Sequence, residues 1–169
     1  MAHRVSIAER PAIVDEKTRL GDWEFDLMMC GHRGGGLLTL VERKSRFTCI
    51  ERVVSKHADH VADVLISALA PLKKRVHTLT MDNGNDFARH KKVAKALQAN
   101  VYFAHTYCAW ERGLNQNTNG LLRQYFPKGI NFKNVSQAKI RQAENRLNNR
   151  PRKGLNFRTP NEFFQPDKS

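Results

Sequence analysis

The sequence predicts an α/β fold, a five-stranded mixed sheet flanked by helices on both faces. Three observations predict it. Asp22 to Met29, Leu37 to Val41 and Phe47 to Val54 are strand-length apolar or alternating runs joined by turn chemistry, which makes an antiparallel meander. Val76 to Met81 and Val101 to Ala104 are shorter apolar runs, each preceded by a stretch of helical spacing, as parallel crossovers require. The residues beyond carry helical periodicity only. At 169 residues, with 40% hydrophobic and 27% charged residues, the chain is long enough to bury one real core.

Taken in order, residues 1–20 are mixed and polar, and Arg10-Pro11 interrupts any regular pattern. They read as an extended lead-in to a core spanning 21–165. In the first strand Asp22, Glu24 and Asp26 alternate with Trp23, Phe25 and Leu27, so the acids share one face. By itself this segment reads as an edge strand with a wet face. Gly31 to Gly36 reads as a hairpin loop; no Gly-Lys-Ser/Thr follows, so it is not a phosphate-cradling loop. The turn Glu42-Arg43-Lys44-Ser45-Arg46 is strongly basic. Ser55 is placed to cap a helix with Val61, Val64, Leu65, Ala68 and Leu69 inward, ended by Pro71. The fourth strand runs straight into the turn Asp82-Asn83-Gly84. Phe87 to Gln98 predicts a second helix, with Val93, Ala94 and Leu97 inward. A third helix begins near Leu114 and runs toward Pro127, and a fourth spans Val135 to Asn149 with Ala138, Ile140, Ala143 and Leu147 inward. The tail reads as a basic segment pinned by Leu155, Phe157, Phe163 and Phe164. Three strands, helix, strand, helix, strand, helix, helix is the order of the ribonuclease H-like fold.

The balance of 29 basic against 16 acidic residues, a net charge of +13, is the signature of a phosphate-rich partner. No apolar run reaches the length of a membrane helix, and the polar N-terminus does not read as a signal peptide. Cys30, Cys49 and Cys108 are odd in number and widely spaced, which suits a reducing cytoplasm rather than a disulfide framework. Cys30 and His32 have no matching second pair, so they read as a buried thiol and a turn histidine rather than a zinc site.

Phosphodiester chemistry calls for acids that reach one end of a sheet from separate elements, where they hold divalent cations against phosphate oxygens. Asp26 on the first strand and Asp82 at the end of the fourth meet that requirement if those strands are neighbours. The third ligand belongs on a following helix, and the candidate is position 116, separated from Asp82 by 33 residues.

Several stretches, in order, carry a resemblance that covers Arg4 to Phe164. They are Gly21-Asp22-Trp23-Glu24-Phe25-Asp26-Leu27, Thr39 to Arg46, Thr80-Met81-Asp82-Asn83-Gly84, Trp110-Glu111-Arg112-Gly113, Asn117 to Gly129 and Leu147 to Lys153. The chain resembles the catalytic domain of IS30-family insertion-sequence transposases, the DDE group of the retroviral-integrase superfamily. The resemblance implies that Asp26 and Asp82 are the two catalytic, metal-binding aspartates. It implies a two-metal Mg2+ or Mn2+ site and DNA as the partner, both element ends and target. It also implies a homo-oligomeric active assembly and a bacterial, cytoplasmic, DNA-associated setting, with no membrane and no small-molecule substrate. The family's glutamate falls in an Asn-Glu-Asn-Thr-Asn-Gly string, and here Asn115-Gln116-Asn117-Thr118-Asn119-Gly120 puts Gln116 in its place. A neutral amide is nearly isosteric, so the fold is expected to survive while the second ion is weakened and strand cleavage is impaired. Phe25, where the family usually has glycine, and Asn85-Asp86, where Lys-Glu is common, depart further. The family's N-terminal DNA-recognition region is not matched.

Lys44, Arg46, Arg112, Arg123, Lys128, Arg152 and Lys153 are the expected phosphate contacts. Glu24 reads as an ordinary strand acid or an outer partner of Asp26. His105 and Tyr107 are loop residues on the side of the site, and Trp110 reads as a packing anchor. Glu111 is the nearest carboxylate that could replace the missing acid, but it precedes the helix. A different class remains open: a catalytically silent module that only binds DNA or dimerises with an active transposase. A related nuclease acting on another nucleic acid is a third reading.

Overall fold

The computed structural model describes residues 3–31, 34–106, 108, 111 and 113–165. Five strands form one mixed sheet: β1 (Asp22–Met29), β2 (Gly36–Glu42), β3 (Thr48–Val53), β4 (Thr78–Met81) and β5 (Asn100–Phe103). Their order is β3-β2-β1-β4-β5. β1 pairs antiparallel with β2 and β2 antiparallel with β3, whereas β1–β4 and β4–β5 are parallel. The meander and the two crossovers thus fall where the apolar runs predict.

The sheet has a core on each face. Trp23 and Phe25 of β1, Leu38 and Leu40 of β2 and Leu79 and Met81 of β4 pack against α2 (Ala58–Leu69) and α3 (His90–Leu97) through Val61, Leu65, Leu69, Val93 and Leu97. The short C-terminal helix α6 (Pro160–Phe164) closes this core, with the Phe164 ring stacked on Phe47 at 4.4 Å and edge-on to Trp23 at 5.7 Å. On the opposite face Met28, Leu37 and Ile50 meet α4 (Gly113–Leu122) and α5 (Gln137–Asn148) through Leu122, Ile140, Ala143 and Leu147. The alternation of β1 sends Trp23 and Phe25 to the first core and Glu24, Asp26 and Met28 toward α4.

β1 is central, not the edge strand with a wet face that its sequence suggests by itself. Asp22 is 1% exposed and Glu24 is fully buried. The acids are held by cations: Asp22 by Arg19, three residues earlier, and Glu24 by Arg43, from the β2–β3 turn. The edges are β3 and β5, and α5 covers β3 with side chains. Asn148 Oδ1 accepts from Thr48 N at 2.9 Å while its Nδ2 donates to Thr48 O at 2.8 Å. Two residues along, Glu144 accepts from Ile50 N at 2.7 Å and Arg141 donates to Ile50 O. These three side chains imitate a sixth strand and leave less backbone open to edge pairing.

Other elements differ in detail. The expected lead-in carries α1 (Ala12–Glu16), whose Val14 is fully buried, and Val5 O accepts from Phe103 N beside β5. Ser55 does not cap α2: His57 is the N-cap residue, and the Ser55 hydroxyl accepts from His57 N. The predicted helix over 87–98 splits into a 3-10 turn at Asn85–Phe87 and α3. Helix α4 stops at Leu122 rather than at Pro127. Ala138 is exposed, because Ser136 caps α5 through Lys139 N and sets a face led by Ile140. The tail gains α6 through a capping box between Thr159 and Glu162.

Candidate active site

The β1–β4 ladder runs Asp22↔Thr78, Trp23↔Leu79 and Glu24↔Thr80, a constant offset of 56. Continued by two residues, that offset sets Asp26 level with Asp82. Neighbouring strands lie roughly 4.8 Å apart, and paired residues of parallel strands point to one side. The offset would bring the two acids to one end of the central parallel pair, where β4 has ended at Met81 and Asp82 begins the turn.

Each carboxylate is oriented by its own backbone. Asp26 Oδ1 accepts from Leu27 N at 2.9 Å, and Asp82 Oδ1 accepts from Gly84 N at 2.8 Å. The latter is an Asx turn, the reason β4 ends at Met81. A Cβ at Gly84 would lie 2.9 Å from Asp82 Oδ1, so a larger residue there would push against that carboxylate. Arg4 reaches the same turn, donating to Gly84 O at 3.0 Å. Burial lowers its pKa, and the charge of Asp82 opposes that shift.

Helix α4 is locked onto this face by asparagines. Asn119 Nδ2 donates to Asp26 Oδ2 at 2.9 Å, and Asn119 Oδ1 accepts from Thr39 Oγ1 at 3.3 Å. One turn earlier Asn115 N, in the first turn of the helix, donates to Glu24 Oε2 at 3.3 Å. Gln116 is exposed between these anchors. It stands three residues before Asn119, so the two neighbour each other on the helix surface.

Glu24 is the hub behind the site. Its second oxygen accepts from Arg43 Nη1. Arg43 Nε in turn donates to Val14 O at 3.1 Å, and Arg10 Nη1 to Thr80 Oγ1 at 2.9 Å. Burial pushes the Glu24 carboxyl above its ordinary pKa, opposed chiefly by Arg43. A cleft of about 480 Å³ opens alongside, lined by Arg10, Lys17, Glu24, Arg43, His105 and Glu111, among others. Glu111 lies before α4 and is engaged with His105, accepting from its backbone N at 2.8 Å and pairing with Nδ1 at 2.8 Å. Burial alone would raise the Glu111 pKa, but the hydrogen bonds from His105 hold it below the ordinary value.

Among the described residues no three His, Cys, Asp or Glu side chains form a metal-holding group. Asp26 is on β1, Asp82 follows β4, and Gln116 is an exposed residue of α4. Of the expected phosphate contacts, Lys128 and Lys153 are exposed and Lys44, Arg46 and Arg123 half-buried. Arg152 is only 8% exposed and donates to Leu147 O at 3.1 Å, so its guanidinium is committed to the fold. Arg112, Tyr107, Trp110 and His32 lie outside the described residues. Sequence reasoning missed Asn119, Asn115 and Arg43. For Asn119 the signal was available: it follows Gln116 by three residues on a predicted helix.

This sheet order, with the acids at the end of its central parallel strands, defines a ribonuclease H-like core. The catalytic core domain of BIV integrase superposes with a TM-score of 0.61 at 20% identity, covering 87% of this chain and 95% of that one. Residues 17–108 match the family described as the integrase core domain, and the chain belongs to that family. Its relatives are IS30-family transposases. The transposase for insertion sequence element IS4351 of Bacteroides fragilis is 46% identical over 162 residues, 96% of this chain and 50% of that protein. Transposase InsI for insertion sequence element IS30A of Escherichia coli (strain K12) is 39% identical over 160 residues, 94% of this chain and 42% of that protein. The chain thus spans about half the length of the curated relatives it matches. No helix among the described residues is long and apolar enough to cross a membrane.

Proposed function

We propose that this chain is the core of a DDE-type DNA transposase in which Gln116 has replaced the third acid, with phosphodiester cleavage and strand transfer impaired. The observation that supports the reading is the hydrogen bond that ties α4 to Asp26 through Asn119, on the strand paired in parallel with β4, whose end leads into Asp82. Two hard carboxylates beside a carbonyl-bearing amide are a donor set that fits one Mg2+ or Mn2+, which keeps waters and phosphate oxygens as its other ligands. A second ion would face the uncharged Gln116, and its binding is weakened. Bound there, such ions neutralise charge at phosphorus and make an oxygen nucleophile available at neutral pH.

The chain's own residues do the positioning. Asn119 fixes the rotamer of Asp26, the Gly84 amide fixes Asp82, and Glu24 docks the turn of α4 that presents position 116. In hydrolysis the oxygen of water bonds to phosphorus, the bond to the 3′ oxygen breaks, and that oxygen leaves with a proton. In strand transfer the freed 3′ hydroxyl loses its proton as its oxygen bonds to a phosphorus of the target DNA, the bond from that phosphorus to the target's own 3′ oxygen breaks, and that oxygen leaves with a proton. Lys44, Arg46, Arg123, Lys128 and Lys153, with Arg112, supply phosphate contacts, so DNA affinity falls steeply with salt.

Manganese-dependent nicking of supercoiled plasmid, comparing the chain with Gln116→Glu, tests the reading. Nicking by the revertant alone supports it. Equal nicking by both puts the third ligand elsewhere. A folded revertant that binds Mn2+ but neither nicks nor transfers strands refutes the assignment. Gln116 also favours a second reading, a silent DNA-binding or dimerisation module. Metal-independent DNA binding with no gain on reversion is its expected result.

A further inference from the structure

Phe157 is out of place in this fold. Its side chain is 71% exposed, the most exposed large apolar residue among those described. Its backbone is left-handed, with φ 61°, directly after Asn156 at φ 53°. A bulky residue pays steric strain in that region where glycine pays none. The ring contributes little to either core, so the fold gains little from keeping it.

The loop that presents it is closed and rigid. Phe157 N donates to Arg152 O at 2.9 Å, Arg152 N to Arg158 O at 3.0 Å, and Asn156 N to Lys153 O at 3.1 Å. The buried Leu155 and the bond from Arg152 to Leu147 O fasten it to α5.

The neighbouring charge in the chain is mostly basic. Arg150, Lys153 and Arg158 are exposed, and the Arg158 guanidinium is held over the Phe163 ring at 4.9 Å while it donates to Glu162 O at 3.1 Å. The Arg46 guanidinium lies against Gly154, so close that a Cβ there would sit 2.5 Å from Nη2. Burial, and then the like charges of Arg46 and Arg150, lowers the Arg152 pKa. Glu162, the acid nearest in sequence, is committed to capping α6 through Thr159 N at 3.0 Å. Arg46 belongs to the β2–β3 turn, whose Arg43 N donates to Asp22 O, so the patch lies at the Asp22 end of β1. Asp26 is four residues further on, roughly 13 Å along the strand. The patch therefore meets nucleic acid away from the acid pair.

We infer that Phe157, with Arg150 and Arg158 and with Arg46 and Lys153 of the phosphate contacts already named, forms a DNA-docking surface on which the cations seat phosphates and the ring stacks on an unpaired base. The inference rests on the reading of this chain as a DNA-acting core. Charge complementarity selects the polyanion, and a rigid, exposed ring among cations is what single-stranded nucleic acid stacks upon. A paired base within a duplex offers no free face, so the preferred ligand carries an unpaired segment.

Fluorescence anisotropy on the full chain tests this with two labelled DNAs, a blunt duplex and the same duplex with a single-stranded overhang. Phe157→Gly should lose about 5- to 150-fold in affinity for the overhang DNA, the range for one stacked base, and little for the blunt duplex. Its melting temperature should stay the same or rise, because glycine relieves the left-handed strain. The triple variant Arg150→Gln, Lys153→Gln, Arg158→Gln should flatten the slope of log affinity against log salt by about 2 to 3 on the duplex. A marked fall in the melting temperature of Phe157→Gly would show the ring to be structural and overturn the inference. So would patch variants that bind both DNAs like the unaltered chain while Arg123→Gln, Lys128→Gln loses affinity; the DNA reading then stands and this surface falls. Patch effects that persist when the Gln116→Glu chain fails to nick leave this surface standing and sink the catalytic reading.

Discussion

Replacing Glu24 by glutamine tests the buried hub behind the site. Both Glu24 oxygens accept hydrogen bonds, one from Arg43 Nη1 and the other from Asn115 N. A glutamine has one acceptor, so whichever way its amide turns, its NH2 group faces a donor. The substitution also leaves Arg43, 7% exposed, without its buried counter-charge. Removing one partner of a buried ion pair costs about 3–5 kcal/mol, because the remaining charge stays desolvated. Against a total stability of about 5–15 kcal/mol for a domain, that is a large share. Arg43 keeps Val14 O and a 3.6 Å approach to the exposed Asp15, which places the expected loss nearer the lower figure. Urea unfolding at pH 7 measures it, with the midpoint falling and the slope unchanged. The double variant Glu24→Met, Arg43→Met should recover most of the loss, since an apolar pair of similar volume removes both charges together. A loss below about 1 kcal/mol for Glu24→Gln, or strictly additive single and double variants, would refute the hub.

Asn148→Ala strips the partners from the buried Thr48 N–H and C=O at the β3 edge. A loss of about 2–4 kcal/mol is expected, with concentration-dependent association in light scattering; a loss under about 1 kcal/mol would mean water replaces the amide. Cys49, its thiol pushed up to about 12 by burial and then by Glu144 and Glu51, should resist alkylation at pH 8 in the folded chain and react on unfolding. Rapid modification of Cys49 in peptide mapping of native protein would contradict this. Burial raises the Glu144 carboxyl above its ordinary value, opposed by Ile50 N and Arg141. Its stabilising contribution is therefore complete below about pH 4.5 and is lost as pH rises through the raised folded value. Chemical unfolding across pH 4–8 should show Glu144→Gln gaining on the unaltered chain through that window; parallel curves would count against the shift.

The parts of this fold legible in the sequence are those fixed by near neighbours. The alternation of Asp22 to Met29, the helical spacing from Val61 to Leu69 and the Asp82-Asn83-Gly84 turn are local patterns, and each produced its element. What was not legible depends on pairing across the chain. Glu24 looks wet until Arg43 is seen to meet it, and β1 looks like an edge until β4 lies beside it. Arg152 reads as a surface cation from its basic neighbours, but its backbone ties the 152–158 loop and its side chain turns inward to Leu147 O. The covering of β3 by Asn148 joins residues 100 apart, beyond any local pattern.

The same distinction bears on position 116. The hydrogen bonds that place α4 run through Asn115 to Glu24 and through Asn119 to Asp26 and Thr39, on either side of Gln116. The helix is thus anchored on both sides of position 116. A change there alters the charge offered to a cation while leaving the frame that offers it. The charge at this position can therefore be separated from the fold, which is why Gln116→Glu is a clean test. Asn119 makes the complementary case. Its amide holds Asp26 itself, so Asn119→Ala in the reverted chain should weaken Mn2+ binding, measured by titration calorimetry, with Gln116→Glu left in place. Unchanged Mn2+ affinity would show that Asp26 is oriented without Asn119.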